Sequence, residues 1–571
     1  NRAASPPPPG ATVIPTRRDL LVATAAGLGV GPTTFQRAVA AEAADAPAPG
    51  TVTPEMVKNA EWVAGIELTD RQREQVATAL TDAVRGIATL HRAKVGNEVP
   101  PALHFLPDPG RPATGPRGTV AFTPPPADRP AAGDDLAFLP LTKLAALLRD
   151  KKVTSADLTK LYLDRLKKYD PALKCVVNLT EELALKQAAE ADRELAAGTP
   201  RGPLHGVPWV AKDLISYPGH KTTWGAGPFK DQTLDGKATV ADRIDRAGGV
   251  LTAKVTLGAL AMGDRWFGGM TRNPWNVRQG SSGSSAGSAS AVAAGLTGYG
   301  IGSETWGSIV SPCTRCGVTG LRPTFGRVSR HGCMALSWSM DKLGPIARSV
   351  EDCALIFSVI HGHDGLDPTA VTHPFAWPSP RPLKELRVGF FENSTSDEVK
   401  KVLTDLGVRL VPFRLPTGLP VEALSVILTV ESSAAFDDLT RAGVSEGIGN
   451  WPGTFRRGRF VPAVDYLRAQ RVRTLLMQKM AAAMTDVDLY VGSPDNGLLT
   501  NLTGHPVVCL PNGLRRGADR VETPTSLTFT GRLWGESELL AVAKAYQDAT
   551  GHHLRRPDMA KVTIEEAEPK K

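Results

Sequence analysis

Apolar residues recur with two different spacings along the middle of the chain. Segment 141–170 has helical spacing of its leucines, which predicts two amphipathic helices, the second capped by Thr154 or Ser155. A third helical pattern covers 180–198. Short valine-rich runs typical of buried strands lie between helical segments, and they read GVPWVAK, GGVLTAK, LRVGFF, VDLYVG and PVVCLP. This alternation predicts an α/β protein built on a mixed sheet.

The pattern changes on the N-terminal side of this region. Residues 51–97 predict helices, because Thr53 and Pro54 form a helix start and the apolar positions that follow keep helical spacing. The many Pro and Gly residues in 98–135 indicate a linker that wraps around the protein. We therefore divide the chain after residue 45 into a helical extension with its linker (46–135), a main domain (136–556) and a polar tail (557–571).

An export address is predicted in residues 1–45. Arg17 and Arg18 precede Leu20–Gly31, an uncharged run rich in Ala, Leu and Val, and the AVA sequence at 38–40 is suited to cleavage. This arrangement resembles a bacterial twin-arginine signal, so we expect an exported, periplasmic protein. The alternative is a Pro/Ala-rich tail with chance arginines. The apolar run is too short to span a bilayer, and we expect no stable membrane insertion.

Charge and cysteine usage argue against two classes of function. The 66 basic and 58 acidic residues are interspersed and give a net charge of +8, without the clustering that a nucleic-acid partner requires. The six cysteines are too sparse for a disulfide framework. Cys313 and Cys316 form a lone C-x-x-C, and no second Cys or His pair follows at metal-binding spacing. We predict no nucleic-acid partner and no metal.

The most unusual composition lies between Gly280 and Gly307, where 15 of 28 residues are Gly or Ser. Such a run could be a flexible linker. However, its middle reads AVAAGL and the segment that follows reads SIVSP, and linkers do not alternate serine clusters with apolar packing segments. The pattern indicates backbone held tightly in place, with serines available for chemistry.

Lys212 ends the predicted strand GVPWVAK, and a lysine in that position has two interpretations. It could extend its ammonium group to the surface. If it is buried, its pKa falls, and the neutral amine can accept a proton from a hydroxyl group. A serine hydroxyl needs such a base because it is a weak nucleophile unaided.

Several collinear motifs resemble those of the amidase signature family. The matching segments are GVPWVAKD (206–213), NPWN (273–276) with the Gly/Ser run that follows it, GSETWGSI (302–309), GVTGLRPTFGRVS (317–329), SMDKLGPIARSVEDCALIF (339–357), GHDGLDPTAV (362–371), NLTGHPVVCLPNG (501–513) and FTGRLWGESELLAVAKAYQ (529–547). The resemblance covers about residues 136–556. It implies the amidase-signature fold, in which helices cover both faces of a mixed central sheet. It also implies an amidohydrolase that acts on a small-molecule amide and needs no metal or organic cofactor.

The resemblance assigns three catalytic positions. The family's lysine base falls on Lys212, its bridging serine, held on a cis peptide, falls on Ser284, and its nucleophile falls on Ser308. The implied reaction passes through an acyl-enzyme on Ser308. The oxyanion would be met by the backbone N–H groups of four residues, which are Thr305, Trp306, Gly307 and Ser308.

Three positions depart from the family pattern. Trp306 replaces a glycine in the expected oxyanion loop, where a bulky side chain would be strained if the backbone needed a positive φ or a close approach. Alternatively, its indole would narrow the substrate pocket. Val310 replaces an arginine, so we expect Glu304 to lack its usual charge partner. Ala286 replaces a glycine beside the bridging serine.

Other interpretations of the sequence stay open. Ser285 lies in a G-x-S-x-G sequence, but the α/β-hydrolase motif needs a preceding strand, and WNVRQGSSG is a poor one. A second alternative is the A subunit of a tRNA-dependent amidotransferase, because residues 59–85 faintly resemble the small helical subunit of that complex. A third is a catalytically impaired homologue that binds amides, motivated by Trp306. The sequence predicts neither the particular amide nor the oligomeric state.

Overall fold

The computed structural model describes residues 51–93, Leu103, 117–492 and 497–567. The predicted export signal and 18 of the 38 residues of the predicted linker lie outside these residues. The chain divides into one unit that ends at Arg85 and another that begins at Gly86. Among the described helices, none combines the length and the apolar character needed to cross a bilayer.

Two helices follow the predicted N-terminal pattern. Helix α1 (Pro54–Ala64) is capped by the Thr53 hydroxyl, as the sequence predicts. Helix α2 (Asp70–Arg92) begins where the second apolar periodicity begins. An ion pair of 2.7 Å between Glu61 and Arg73 joins α1 to the first turn of α2. The helices predicted over this region are confirmed.

The second unit is built on a mixed sheet. Its strands are β1 (Val176–Leu179), β2 (Pro208–Lys212), β3 (Val250–Val255), β4 (Arg265–Trp266), β5 (Gly269–Met270), β6 (Arg272–Asn273), β7 (Asn276–Gly280), β8 (Tyr299–Glu304), β9 (Thr319–Arg322), β10 (Lys342–Ala347), β11 (Arg387–Phe390), β12 (Arg409–Pro412), β13 (Leu489–Gly492), β14 (Val507–Arg516) and β15 (Glu522–Gly531). Eleven of them form one sheet in the order β1-β3-β2-β8-β10-β9-β14-β15-β13-β11-β12. Strand β2 is parallel to β3 and β8, whereas β10 is antiparallel to β8 and β9. The predicted α/β fold is confirmed.

Helices cover both faces of this sheet. They are α3 (Gly133–Ala137), α4 (Leu141–Arg149), α5 (Ser155–Leu173), α6 (Glu181–Ala196), α7 (Thr239–Arg246), α8 (Ala286–Ala293), α9 (Val310–Cys316), α10 (Val350–Ile360), α11 (Asp397–Asp405), α12 (Val426–Ala435), α13 (Asp437–Arg441), α14 (Trp451–Gly458), α15 (Ala463–Ala483), α16 (Gly497–Leu502), α17 (Glu536–Thr550) and α18 (Ile564–Ala567). Successive residues of a strand point to opposite faces. In β10, Ile346 packs in one cluster with residues of α8 and α9, whereas Ala347 packs in another with residues of α10.

Two local predictions are settled by hydrogen bonds and pairing. Thr154, and not Ser155, caps α5, because its hydroxyl accepts from the Asp157 N–H at 3.0 Å. The expectation of a poor strand in WNVRQGSSG is wrong, since β7 forms there. However, β7 pairs only with β6 in a two-stranded ribbon outside the central sheet.

Candidate active site

Two parallel strands bring the predicted residues to one edge of the sheet. Lys212 is the last residue of β2, and Glu304 is the last residue of its neighbour β8. Parallel neighbours end at the same edge, which is where open α/β sheets place their ligands. Residues 305–309 lead from β8 into α9, and residues 281–285 lead from β7 into α8. The two serine-bearing loops therefore meet at the carboxyl end of β2.

The amine of Lys212 lies among hydroxyl and carbonyl groups. Its Nζ is 2.8 Å from Ser284 Oγ, 3.1 Å from Ser285 Oγ, 2.8 Å from Ser303 Oγ and 3.3 Å from the Ser303 carbonyl oxygen. The side chain is fully buried. Burial lowers the pKa of Lys212 to about 7, although the nearby charges of Asp341 and Glu304 oppose the shift. At neutral pH a large fraction of this lysine is a free amine.

The hydrogen bonds of Ser285 restrict how a neutral Lys212 can bond. The Ser285 hydroxyl donates to the Ser303 carbonyl at 3.0 Å and accepts from the Ser303 N–H at 3.1 Å, so its own hydrogen is already used. A neutral amine has two hydrogens and one lone pair. Its two hydrogens can be donated to Ser285 Oγ and to Ser303, and its lone pair can then accept the hydrogen of Ser284. This arrangement would make Lys212 a base toward Ser284.

Ser284 follows a cis peptide bond from Gly283, as the family resemblance implies. Only glycine fits at position 283, because an added Cβ would lie 1.9 Å from the Gly263 carbonyl oxygen. The next residue ties this loop to the other one, since the Ser285 N–H donates to the Ser308 carbonyl at 3.1 Å. Ser284 is buried, with 1% of its surface exposed.

Ser308 lies in the second loop and is buried, with 9% of its surface exposed. Within the described residues its hydroxyl has no hydrogen-bond partner, so no direct bond joins it to Ser284 here. Gly307 before it has a left-handed backbone with φ +81°, which glycine adopts without penalty. In the described part of the chain, the N–H groups of Trp306, Gly307 and Ser308 have no acceptor, so they can donate to a ligand.

Glu304 holds the backbone that follows Ser308. Its Oε2 accepts from the N–H groups of Ile309 and Val310 at 2.8 and 3.0 Å. Its Oε1 accepts from Arg322 at 2.5 Å and from Asn501 at 2.8 Å. Burial alone would raise the pKa of Glu304, but Arg322 and Asn501 bring it down to about 2. The carboxylate therefore stays ionised and fixes the start of α9.

Glu304 has a charge partner, although it is not the usual one of the family pattern. Val310 does remove the arginine that the family pattern has, but Arg322 from the adjacent part of the sheet supplies the charge. The guanidinium of Arg322 also donates to the His505 carbonyl at 2.9 Å. Both side chains of the pair are buried, and a buried charge of this kind is tolerated only when paired.

The strain expected at Trp306 is not present. Trp306 is not among the residues with positive φ, and the left-handed position of the loop falls on Gly307 instead. The indole is 43% exposed and lies beside Gly497, where an added Cβ would be 3.5 Å from the indole Cδ1. The bulky side chain thus extends over the surface toward α16, while its backbone N–H stays in the loop.

The sequence does not indicate that Thr305 and Asp341 pair beside the site, although both lie in motifs of the family resemblance. Thr305 donates its hydroxyl to Asp341 at 2.5 Å, and Asp341 also accepts from the N–H groups of Leu336 and Ser337 at 2.8 and 2.9 Å. Burial raises the pKa of Asp341, and these hydrogen bonds oppose that rise. Ser303, in contrast, could have been found, because it precedes Glu304 in the GSETWGSI motif that carries Ser308.

The residue after Lys212 belongs to a separate buried ion pair. Asp213 accepts from the ammonium of Lys254 at 2.8 Å, and both side chains are fully buried. Its other oxygen accepts from the N–H of Thr223 at 2.8 Å. Two buried lysines on neighbouring strands therefore differ in chemistry. Lys254 has a carboxylate partner, whereas Lys212 is hydrogen-bonded to neutral groups.

A cavity of about 330 Å³ adjoins the site through Ser303 and Thr305. Its walls are largely apolar, with Leu214, Met334, Leu336, Trp338 and Leu343 among them. Its lining also contains Arg330 and Asp367, which pair with each other at 2.9 Å, and Asp341 and Lys342. The cavity suits an uncharged group attached to a reacting amide.

The described residues contain no metal-ligand cluster. No group of three His, Cys, Asp or Glu side chains within them is arranged to hold an ion. Cys313 and Cys316 are buried and free, and burial raises the pKa of both thiols. These two cysteines pack in the apolar cluster of α8 and α9.

Comparisons with known proteins define the class. A family model described as Amidase matches residues 157–496. The A subunit of glutamyl-tRNA(Gln) amidotransferase from Acinetobacter baumannii is 34% identical over 492 residues, which cover 75% of this chain and 99% of that protein. The native peptide amidase from Stenotrophomonas maltophilia superposes with a TM-score of 0.64 at 29% identity, over 73% of this chain and 98% of that one. A 6-aminohexanoate cyclic dimer hydrolase, 22% identical over 74% of this chain and 99% of its own, shares the fold with a TM-score of 0.64.

These matches define an amide-hydrolysing enzyme. The chain belongs to the amidase family, the amidase signature family that its motifs resemble.

Proposed function

We propose that the protein hydrolyses a carboxylic amide through a relay of Ser308, Ser284 and Lys212. One observation carries the proposal: a fully buried lysine with a pKa of about 7 lies 2.8 Å from the hydroxyl of Ser284. A general base is most effective when its pKa is near the working pH. The adjoining loop supplies Ser308 as the nucleophile and free N–H groups beside it.

The reaction begins with proton transfer toward the lysine. The amine of Lys212 accepts the proton of Ser284, and Ser284 Oγ accepts the proton of Ser308 as Ser308 Oγ attacks the amide carbon. The N–H groups of Thr305, Trp306, Gly307 and Ser308 stabilise the developing oxyanion. The C–N bond breaks as Ser284 gives a proton to the leaving amine and Lys212 returns its proton to Ser284, and an ester to Ser308 is left.

Water completes the cycle by the same relay. Ser284 Oγ takes a proton from the water molecule as the water oxygen attacks the ester carbon, and Lys212 accepts the proton of Ser284. The acid is released as Ser308 Oγ takes a hydrogen from Ser284, and Lys212 returns its proton to Ser284. Glu304 supports this geometry because its carboxylate accepts hydrogen bonds from the N–H groups of Ile309 and Val310. The N–H groups that precede these two in the loop then remain available to the oxyanion.

The substrate we propose is a small-molecule amide whose acyl group is neutral and apolar. The cavity next to Ser303 has mainly aliphatic and aromatic walls, and its Arg330 is already bound to Asp367. Burial raises the pKa of the lining Asp341 and lowers that of the lining Lys342, which disfavours the charged form of both. A charged acyl group would therefore lose its hydration there without gaining a counter-ion. This argument favours apolar amides over free glutamine.

A second candidate is the glutaminase subunit of a tRNA-dependent amidotransferase. The 34% identity to such a subunit over 75% of the chain favours it. We rank it second because the twin-arginine pattern of residues 1–45 predicts export, which would separate the protein from tRNA. Periplasmic location stays part of the proposal.

An activity-based experiment separates these functions. The purified chain is treated with a fluorophosphonate probe, the labelled peptide is identified by mass spectrometry, and ammonia release is measured with aryl, alkyl and amino-acid amides. We expect labelling at Ser308 and faster hydrolysis of apolar amides than of glutamine. Activity on glutamine alone would support the amidotransferase subunit. If the probe does not label the protein and no amide is hydrolysed, the result would support an impaired homologue.

The pH dependence provides an independent prediction. The lysine has a lone pair only above its pKa, so kcat/KM is expected to rise with pH through about 7 and then to level off. The measurement is kcat/KM for one uncharged amide across the neutral and alkaline range. A profile that keeps rising toward the ordinary lysine pKa of about 10.4 would contradict the assignment.

A further inference from the structure

The loop that carries Ser284 rests on a segment outside the family motifs. This loop starts after β7, and Ser282 within it has a left-handed backbone with φ 60°. A residue other than glycine adopts that conformation at a cost and keeps it only where surrounding contacts fix it. The contacts that fix Ser282 therefore bear on where Ser284 lies, two residues later.

Asp264 supplies the central contact. Its Oδ2 accepts from the N–H of Ser282 at 2.9 Å. Its carbonyl accepts from the N–H of Thr271 at 3.0 Å, and the carbonyl of Thr271 accepts from the N–H of Ser281 at 2.9 Å. The side chain and the main chain of Asp264 thus hold two successive residues of the loop.

The loop packs closely against residues 263 and 264. A Cβ on Gly280 would lie 2.1 Å from Asp264 Oδ2, and a Cβ on Gly283 would lie 1.9 Å from the Gly263 carbonyl oxygen. Both glycines flank Ser282, so the loop presses against residues 263 and 264 on either side of the hydrogen bond. A carboxylate oxygen also makes a stronger hydrogen bond to an N–H group than a neutral acceptor does.

We propose that Asp264 is a positioning residue for the proton relay. It does not touch the reacting atoms; it acts through the N–H of Ser282 and keeps Ser284 within hydrogen-bond distance of Lys212. This inference rests on the proposed function. Loss of the contact would let the loop relax and admit water to Lys212, and a hydrated lysine has a higher pKa.

The test compares three variants that differ in the acceptor. Asp264→Ala removes it, Asp264→Asn keeps a carbonyl oxygen at the same distance from the backbone, and Asp264→Glu keeps the charge but moves the oxygen by one methylene toward Gly280. We expect kcat to fall by about tenfold or more in the Ala and Glu variants with little change in KM, because small displacements in a relay cost much rate. The Asn variant is expected to stay within about threefold of wild type, as a neutral acceptor weakens but retains the bond.

A second readout distinguishes positioning from a general loss of stability. In the Ala and Glu variants the acidic limb of the kcat/KM profile is expected to move to higher pH, while in Asp264→Asn it stays in place. The control is Asp231→Ala, which removes an exposed carboxylate paired with Lys221. A wild-type kcat in the Ala and Glu variants would overturn the proposal. A loss of rate that is fully explained by a lower melting temperature would overturn it as well. An inactive wild-type enzyme would instead refute the proposed function.

Discussion

Ser308→Ala is expected to abolish amide hydrolysis, with kcat lowered by at least about 10⁴-fold. The nucleophile in the proposed reaction is the Ser308 hydroxyl, and alanine offers no atom that can form the acyl-enzyme. The fold should not change, because this hydroxyl has no hydrogen-bond partner within the described residues and its removal leaves no group there unpaired. Ammonia release and the melting temperature are the two measurements.

The matched control for Ser308 is Ser394→Ala, which truncates an exposed serine outside the site. It should keep wild-type turnover and wild-type labelling by the fluorophosphonate probe. If Ser308→Ala retained substantial turnover, or if the probe labelled Ser284 or Ser285, the nucleophile would be misassigned. An Ala variant that lost turnover only because it unfolded would be recognised by its melting temperature.

Lys212→Met is expected to lower kcat by about 10³-fold, the usual range for removal of a general base. Methionine has a similar length and fills the buried space, but its thioether cannot accept the Ser284 proton at the required strength. The acidic limb near pH 7 should disappear from the remaining activity, because the group that titrates there is gone. kcat and its pH profile are measured on one apolar amide.

The stability of this variant adds a second expectation. Lys212 is fully buried without a carboxylate partner, so its ammonium form is disfavoured inside the protein. A methionine there avoids that cost, and we expect a melting temperature equal to or above that of wild type. Lys230→Met, at an exposed position, is the control. Retention of the pH 7 limb in Lys212→Met would show that another group is the base.

Much of the fold follows from patterns that are local in sequence. The valine-rich segments formed strands of the central sheet because alternating or continuous apolar runs fit a buried strand. Helices α4, α5 and α6 formed where leucine and alanine recur at helical spacing. The strand β7 was not predicted, because two-residue pairing in a ribbon leaves no periodic signal.

The motifs also indicated the principal site residues, since each motif is short and contiguous. Lys212, Ser284 and Ser308 come from three segments that carry the family resemblance, and the first two lie 2.8 Å apart. Whether these residues act as proposed depends on the experiments above. The sequence left open whether the left-handed position of the nucleophile loop would fall on Trp306, and the structure has it at Gly307.

The sequence by itself determined the family, the α/β class and the residue types available for catalysis. Only the tertiary structure decided their environment. Glu304 obtains its charge partner from Arg322 and a further donor from Asn501, 197 positions away along the chain. Asp264 reaches the loop of Ser284 in the same way. The pKa of Lys212 depends on burial among neutral groups of two other segments, the loop with Ser284 and Ser285 and the strand with Ser303. Such contacts are set by how the chain folds back on itself, and local sequence patterns do not encode them.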